Sequence, residues 1–287
     1  MKPRRRVSNI EPYILLLPSL VYLAVFFAWP MVQAFGLAFR ADDGRWTLEF
    51  FRRMVGDAAF WPAMRTTLLL VVLIVPLQFT LALAMALLVT AGLRGSGALI
   101  YVYALPIAVS DLAAGIVWFS IFTERGYLNT VLQGLGLLDR PFIFLQYGAT
   151  WSLIAIVLAE VWRATSIVFV ILVAGLQGIP KEYFEAAEVF GAGWFARLRR
   201  VTLPMLRPSI QVALILRTIL AFQVFAVVVA LTGDGVKVLA SEAYQWYNQW
   251  RNINVAACYA ALILAISLLS TSIYLRALRT RTEVTAV

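Results

Sequence analysis

Three long stretches of this chain carry no charged residue at all, and they constrain its fold more than any other feature. They run between Pro12 and Phe39, between Thr66 and Leu93, and between Asn252 and Leu275. A bilayer core needs roughly 20 consecutive apolar residues per helix, so each stretch is long enough to cross. Inside lipid every backbone N–H and C=O must be satisfied within the protein, which leaves helices or a closed barrel. Barrel strands read as short alternating segments, and none are present. Three further runs qualify if each carries a buried charge: 96–122 around Asp111, 150–176 around Glu160 and Arg163, and 209–231 around Arg217. The expectation is an all-α polytopic membrane protein of six spans, with residues 1–287 as one transmembrane domain. Composition agrees, since 62% of residues are hydrophobic and 14% charged, against about 25% charged in a soluble domain.

The formal charge of +9 does not point to nucleic acid, because basic residues also orient membrane proteins. With the N-terminus inside, the inner segments hold thirteen Lys and Arg, including Lys2, Arg4, Arg5, Arg6, Arg94, Arg279 and Arg281. The outer segments hold nine, against eight acids. Both termini are therefore expected in the cytoplasm. The basic cluster before the first span resembles a signal peptide, but the apolar stretch exceeds the roughly 7–15 residues of a signal h-region, so an uncleaved first helix is expected. One cysteine, Cys258, excludes an intrachain disulfide and reads as packing.

The outer loops are aromatic. Trp46 and Trp61 suit an interfacial belt, as do Trp246, Tyr247 and Trp250; contact with an external partner is the other reading. Residues 123–149, with Gly126, Gly134, Gly136 and Pro141, predict a short surface or re-entrant helix between turns. The inner segment about 177–207 is the most informative. Pro180 fits a first helical turn, Glu182, Glu185 and Glu188 follow at three-residue spacing, and Gly191 and Gly193 allow a sharp turn. Arg197, Arg199 and Arg200 come next, with Pro204 and Pro208 expected to close the segment before the fifth span. Tyr183, Phe184, Val189, Phe190, Trp194 and Phe195 lie among these charges, and such a surface wants a cover of lipid headgroups or protein.

This segment resembles the EAA loop of permease subunits in importers of the ATP-binding-cassette (ABC) superfamily. The pattern is Glu185-Ala186-Ala187, then Gly191, then Val201-Thr202-Leu203-Pro204, with Val where the family pattern has Ile. Phe190 stands where sugar permeases often carry Asp. Leu176-Gln177-Gly178-Ile179-Pro180, Phe60-Trp61-Pro62-Ala63 and Gly126-Tyr127-Leu128-Asn129 are similar to runs of the carbohydrate-uptake, maltose permease-like branch. Leu231-Thr232-Gly233-Asp234-Gly235 matches imperfectly. The resemblance implies the type I importer permease fold. It implies that Glu185, Ala186, Ala187, Gly191, Leu203 and Pro204 form the helix that docks on a cytoplasmic ATPase. It implies as partners a second homologous permease, two ATP-binding cassette subunits, an extracytoplasmic solute-binding protein and a sugar-like substrate. No G-x-x-x-x-G-K-[ST] occurs, so no ATP hydrolysis is expected on this chain; ATP and Mg would reside on the partner ATPase. There is no His, which excludes a histidine-dependent metal site or Cys/His catalysis.

Charged groups within spans cost roughly 2.5–3.5 kcal/mol each on insertion scales and face a cavity or a partner. Glu160 and Arg163, three apart, share one helix face and can pair. They either hold the bundle together or line the translocation path. The resemblance implies the path, at Glu160, Arg163, Ala164 and Ile167 of the fourth span and Phe222 and Gln223 of the fifth. Ala226 stands where the family usually has a polar group. Asp111 is a further candidate, and Trp118, Trp162 and Phe222 offer rings for a sugar to stack on. Arg217 is expected to snorkel toward the cytoplasm. The competing readings are an ion-coupled transporter acting alone, with Asp111 or Glu160 carrying protons, and an intramembrane enzyme.

Overall fold

The computed structural model describes residues 11–41, 43–92, 95–146 and 150–278. The basic residues Lys2, Arg4, Arg5, Arg6, Arg94, Arg279 and Arg281, on which part of the inside-positive count rests, lie outside them. The described residues form helices and no strand beyond an isolated bridge between Arg40 and Trp46. Among the described residues five helices are long and apolar enough to span a membrane, and six if one bent pair counts as a single span.

The chain divides into two compact units. The first comprises residues 1–57 and 243–262. Its long helix, α1 (Tyr13–Leu37), is apolar all round, and none of its most apolar stretch is buried by the rest of the chain. A helix of this kind is stable only in lipid or against another chain. The turn Ala24–Ala28 widens to a π-helix two residues before Pro30. Leu198–Thr202 does the same two residues before Pro204. In both, the proline lacks the N–H that would reach four residues back and its ring pushes on that carbonyl, so the turn opens rather than the helix ending.

Beyond α1 comes the short helix α2 (Glu49–Val55). The Asn254 side-chain amide donates to the Arg40 carbonyl at 3.1 Å. Cys258, fully buried, lies against the Ala38 carbonyl at 3.6 Å. Of the expected belt aromatics, Trp46, Trp61, Tyr247 and Trp250 are exposed. Trp246 is not: it is buried, with the Arg53 guanidinium 5.3 Å above its ring.

The second unit comprises residues 58–242 and 263–287. Its central helix is α7 (Thr150–Gln177), the most buried of the long helices. Around it pack α3 (Phe60–Thr90), α4 (Ser96–Ala104), α5 (Asp111–Phe122) and α9 (Trp194–Phe222). The re-entrant or surface helix expected in 123–149 is present as α6 (Tyr127–Gly134). The segment expected on the cytoplasmic side begins with α8 (Lys181–Val189). The last elements are α10 (Ala226–Thr232), α11 (Leu239–Asn248) and α12 (Ile253–Ala277). The final two cross from one unit to the other.

Three boundaries differ from the sequence reading. The span expected over 96–122 is broken: α4 runs into a 3₁₀ turn, Leu105–Ala108, and α5 leaves at 98°. Pro106 sits in that turn, Val109 and Ser110 are extended, and the Ser110 hydroxyl caps α5 by accepting from the Ala113 amide. The span expected over 209–231 stops at Phe222, and α10 begins after an irregular Gln223–Phe225. Pro204 and Pro208 do not close the segment before the fifth span, because α9 runs through both.

Two apolar clusters hold this unit. One joins Leu70, Ile74, Phe122, Ile156 and Ala159 with Val224, Val227, Val228 and Leu231. The other joins Ala82, Ala86 and Val89 with Phe169, Leu172, Leu206, Ile210 and Ala213. On α3 the buried stripe repeats every four residues, Leu70, Ile74, Gln78, Ala82, Ala86. Its one polar member falls between the two clusters.

Candidate functional site

Gln78 marks the level at which α3, α5, α7 and α9 bring their polar groups together. Glu160 of α7 and Arg217 of α9 are both buried, at 0% and 1% exposure. The Arg217 Nη2 donates to Glu160 Oε2 at 2.7 Å. Its Nε donates to Gln78 Oε1, while the Gln78 amide donates to the Glu160 backbone carbonyl at 2.7 Å. Gln78 thus ties the charge of one helix to the backbone of another. Each group alone would be costly at this depth, and the short charge-assisted bonds offset that cost.

Arg217 therefore does not snorkel. A glutamate on the neighbouring helix within bonding reach holds it in the interior, which a scan along one helix cannot reveal. The Glu160–Arg163 pairing read from the sequence is also looser than expected. Arg163 Nη2 stands 3.4 and 3.5 Å from the two Glu160 oxygens, beyond the usual 2.7–2.9 Å of a charge-assisted bond. Its close partner is Asp111, at 2.8 Å from Nη1. The four charges alternate in sign along one line, Asp111, Arg163, Glu160, Arg217, so the cluster is formally neutral. Asp111 is the exposed end, with its side chain 51% exposed.

The other expected path residues are placed unequally. Ala164 and Phe222 are buried, Ile167 is half-buried and Gln223 is exposed in the break before α10. Trp118 of α5 stacks on Phe122 at 5.4 Å and meets Trp162 of α7 edge to face at 6.2 Å. Phe222 is thus not presented as a free ring face, whereas Trp162 is 40% exposed. Gln78 and Arg217 were missed as members of this site. A polar residue at four-residue spacing in an otherwise apolar stripe was the available signal for Gln78.

The second site is cytoplasmic in the sequence reading. α8 presents Glu185 and Ala186 on the surface with Ala187 half-buried. Gly191 has φ +74°, a conformation L-residues rarely adopt. Its amide closes the turn by donating to the Glu188 carbonyl at 2.8 Å. Across that turn Glu188 pairs with Arg197. Val189, Phe190, Trp194 and Phe195 are all exposed, at 63–88%, while Leu203 and Pro204 are half-buried at the start of the long run into the membrane. This is an exposed apolar surface framed by charges.

A helical bundle that crosses a membrane several times, with a neutralised polar cluster within it and a helix–glycine–helix platform at one end, is a transport subunit by architecture. The family model described as binding-protein-dependent transport system inner membrane component matches residues 8–283, and the chain belongs to that family of ABC importer permease subunits. The trehalose/maltose transport system permease protein MalF of Thermococcus litoralis is 30% identical, with 94% of each chain covered. The sulfoquinovosyl glycerol permease SmoG of Agrobacterium fabrum is 31% identical over 93% of this chain and 90% of its own. The same organism's sn-glycerol-3-phosphate permease UgpA is 28% identical, covering 90% of each. A solved bacterial ABC transporter that imports the acidic polysaccharide alginate shares the fold, with TM-score 0.82 at 21% identity over 98% of this chain and 100% of the other.

Proposed function

We propose that this chain is one permease subunit of an ATP-driven importer for sugars or sugar-like solutes such as oligosaccharides, polyols or glycerol phosphates. It lies in the plasma membrane with both termini cytoplasmic, and residues 1–287 work as one permease domain. A second homologous permease completes the translocation path. Two ATP-binding cassette subunits hold ATP and Mg and dock at Glu185, Ala186, Ala187, Gly191, Leu203 and Pro204. An extracytoplasmic binding protein delivers the solute. The observation that carries this reading is the family match along nearly the whole chain, together with relatives whose names specify trehalose, maltose, a sulfoquinovosyl glycoside and a glycerol phosphate.

Asp111, Trp118, Glu160, Arg163, Ala164, Ile167, Phe222 and Gln223 belong to the path in this proposal. Sugar hydroxyls find donors in the guanidinium of Arg163 and acceptors in Asp111, and the ring of Trp162 or Trp118 is the stacking surface. The test is to purify the chain from its native membrane with whatever co-assembles and to reconstitute it in vesicles. Uptake of a sugar that requires ATP and an added binding protein supports the proposal. Uptake driven by a proton gradient without any ATPase subunit would overturn it in favour of the autonomous transporter.

A further inference from the structure

Asp111 stands at the break of the third span, and the helix it begins is packed on the helix that follows the break of the fifth. A Cβ at Gly115 of α5 would lie 2.5 Å from the Ala230 Cβ and 3.2 Å from the Val227 Cα of α10, so α5 and α10 pack with no room for a side chain between them. Both are separated from the helical run before them by non-helical residues: Val109–Ser110 before α5 and Gln223–Phe225 before α10. Such points absorb backbone rotation at small cost. By contrast α3, α7 and α9 are continuous at this level and are cross-linked by Gln78, Glu160 and Arg217.

We propose that Gln78 and Arg217 are positioning residues that fix Glu160, and that Asp111–Arg163 is a detachable latch between the α5–α10 pair and this fixed frame. Arg163 is held on one side by an immobile buried anion, Glu160. On the other it is held by Asp111, a half-exposed anion on a hinged helix. When α5 swings out, Arg163 keeps its loose contact with Glu160, Asp111 carries its half-exposed charge outward, and the frame is left with one net positive charge, Arg163 and Arg217 against Glu160. Opening therefore costs one partly exposed ion pair and leaves the bonds among Gln78, Glu160 and Arg217 intact. This inference rests on the permease reading above.

Spin labels on exposed Ile116 of α5 and Leu158 of α7 report the gap directly, because the chain's single cysteine, Cys258, is buried and takes no label. The distance distribution is measured on the intact complex without nucleotide, in wild type, Asp111→Asn and Asp111→Glu. Asp111→Asn shifts the population toward a longer distance by about two- to fivefold, the range expected for a half-exposed ion pair. Asp111→Glu keeps the charge and does not. Arg217→Lys keeps charge but loses the forked contact to Gln78 and Glu160, and it broadens the distance distribution because the frame is no longer fixed; a width equal to wild type overturns the positioning role. An unchanged distribution in Asp111→Asn, or an equal shift in Asp111→Glu, overturns the latch. Neither result touches the transport reading, which stands or falls on ATP-dependent uptake by the wild-type complex.

Discussion

Glu160 and Arg217, 57 positions apart in sequence, form the tightest ion pair of the interior at 2.7 Å, and that pairing decides which substitutions the bundle tolerates. Arg163, the partner nearer in sequence, is a secondary contact at 3.4 Å. Arg217→Met leaves Glu160 buried without its close countercharge, and such losses cost about 3–5 kcal/mol. Combining it with Glu160→Gln recovers much of that stability, whereas combining Glu160→Gln with Arg163→Met does not, because Arg217 stays orphaned. Thermal unfolding of the purified complex for both double-mutant cycles separates the two pairings. Recovery with Arg163→Met instead of Arg217→Met would return the pair to its sequence neighbours.

Close approach of α5 and α10 gives a second prediction. Gly115→Ala introduces a methyl that meets Ala230 Cβ, an atom with no rotamer to turn away, and the backbone of Val227. Overpacking of this kind costs about 1–3 kcal/mol. Adding Ala230→Gly removes the nearer obstacle and restores part of the loss. The measurement is again the unfolding temperature, and an unchanged value for Gly115→Ala alone would place the two helices farther apart than the structure has them.

Much of this was legible because lipid imposes length and polarity so strictly. The long charge-free runs returned as α1, α3 and α12, and the glycine-separated charges returned as α8 and the start of α9. The breaks were harder. Ser110-Asp111 is a readable helix start, an N-cap followed by an acid in the first turn, yet the run around it is apolar enough to read as one continuous span. Gln223–Phe225 contains neither Gly nor Pro, so that break arises from packing. The hub was hidden for another reason. Gln78 and Arg217 are 139 positions apart, and no periodicity within one helix reports which residue of another faces it.

Topology is tested by labelling in intact cells. With six spans and the N-terminus inside, a Cys at Leu137 reacts with an impermeant thiol reagent and one at Ala192 does not. Leu137 is preferred to its neighbour Gly136, whose φ of +70° would strain any side chain. Leu137 is also 66% exposed, so its reactivity reports sidedness and not burial. The inverse pattern would turn the whole bundle over and put the helix–glycine–helix platform outside.

The platform itself yields the prediction that bears most on transport. The turn at Gly191 needs a positive φ, which proline cannot supply because its ring fixes φ near −65°. Gly191→Pro therefore alters the angle between α8 and α9 and breaks the Glu188–Arg197 tie across the turn. The substitution lies on an exposed surface, away from the buried clusters that hold the second unit. Insertion and the unfolding temperature of the bundle should stay near wild type. ATP-dependent uptake should fall by at least an order of magnitude, the factor that a loss of about 1.4 kcal/mol at the docking surface represents. Glu185→Arg reverses a surface charge on the same helix without bending it, and it too should lower uptake while sparing stability. The two variants then part on complex assembly. Glu185→Arg weakens retention of the ATPase subunits in proportion to its loss of uptake, because it acts on the docking face itself. Gly191→Pro retains them more fully, because α8 can still bind while the turn no longer passes its movement to α9. Normal uptake by either variant with the complex intact would remove the docking role from this segment.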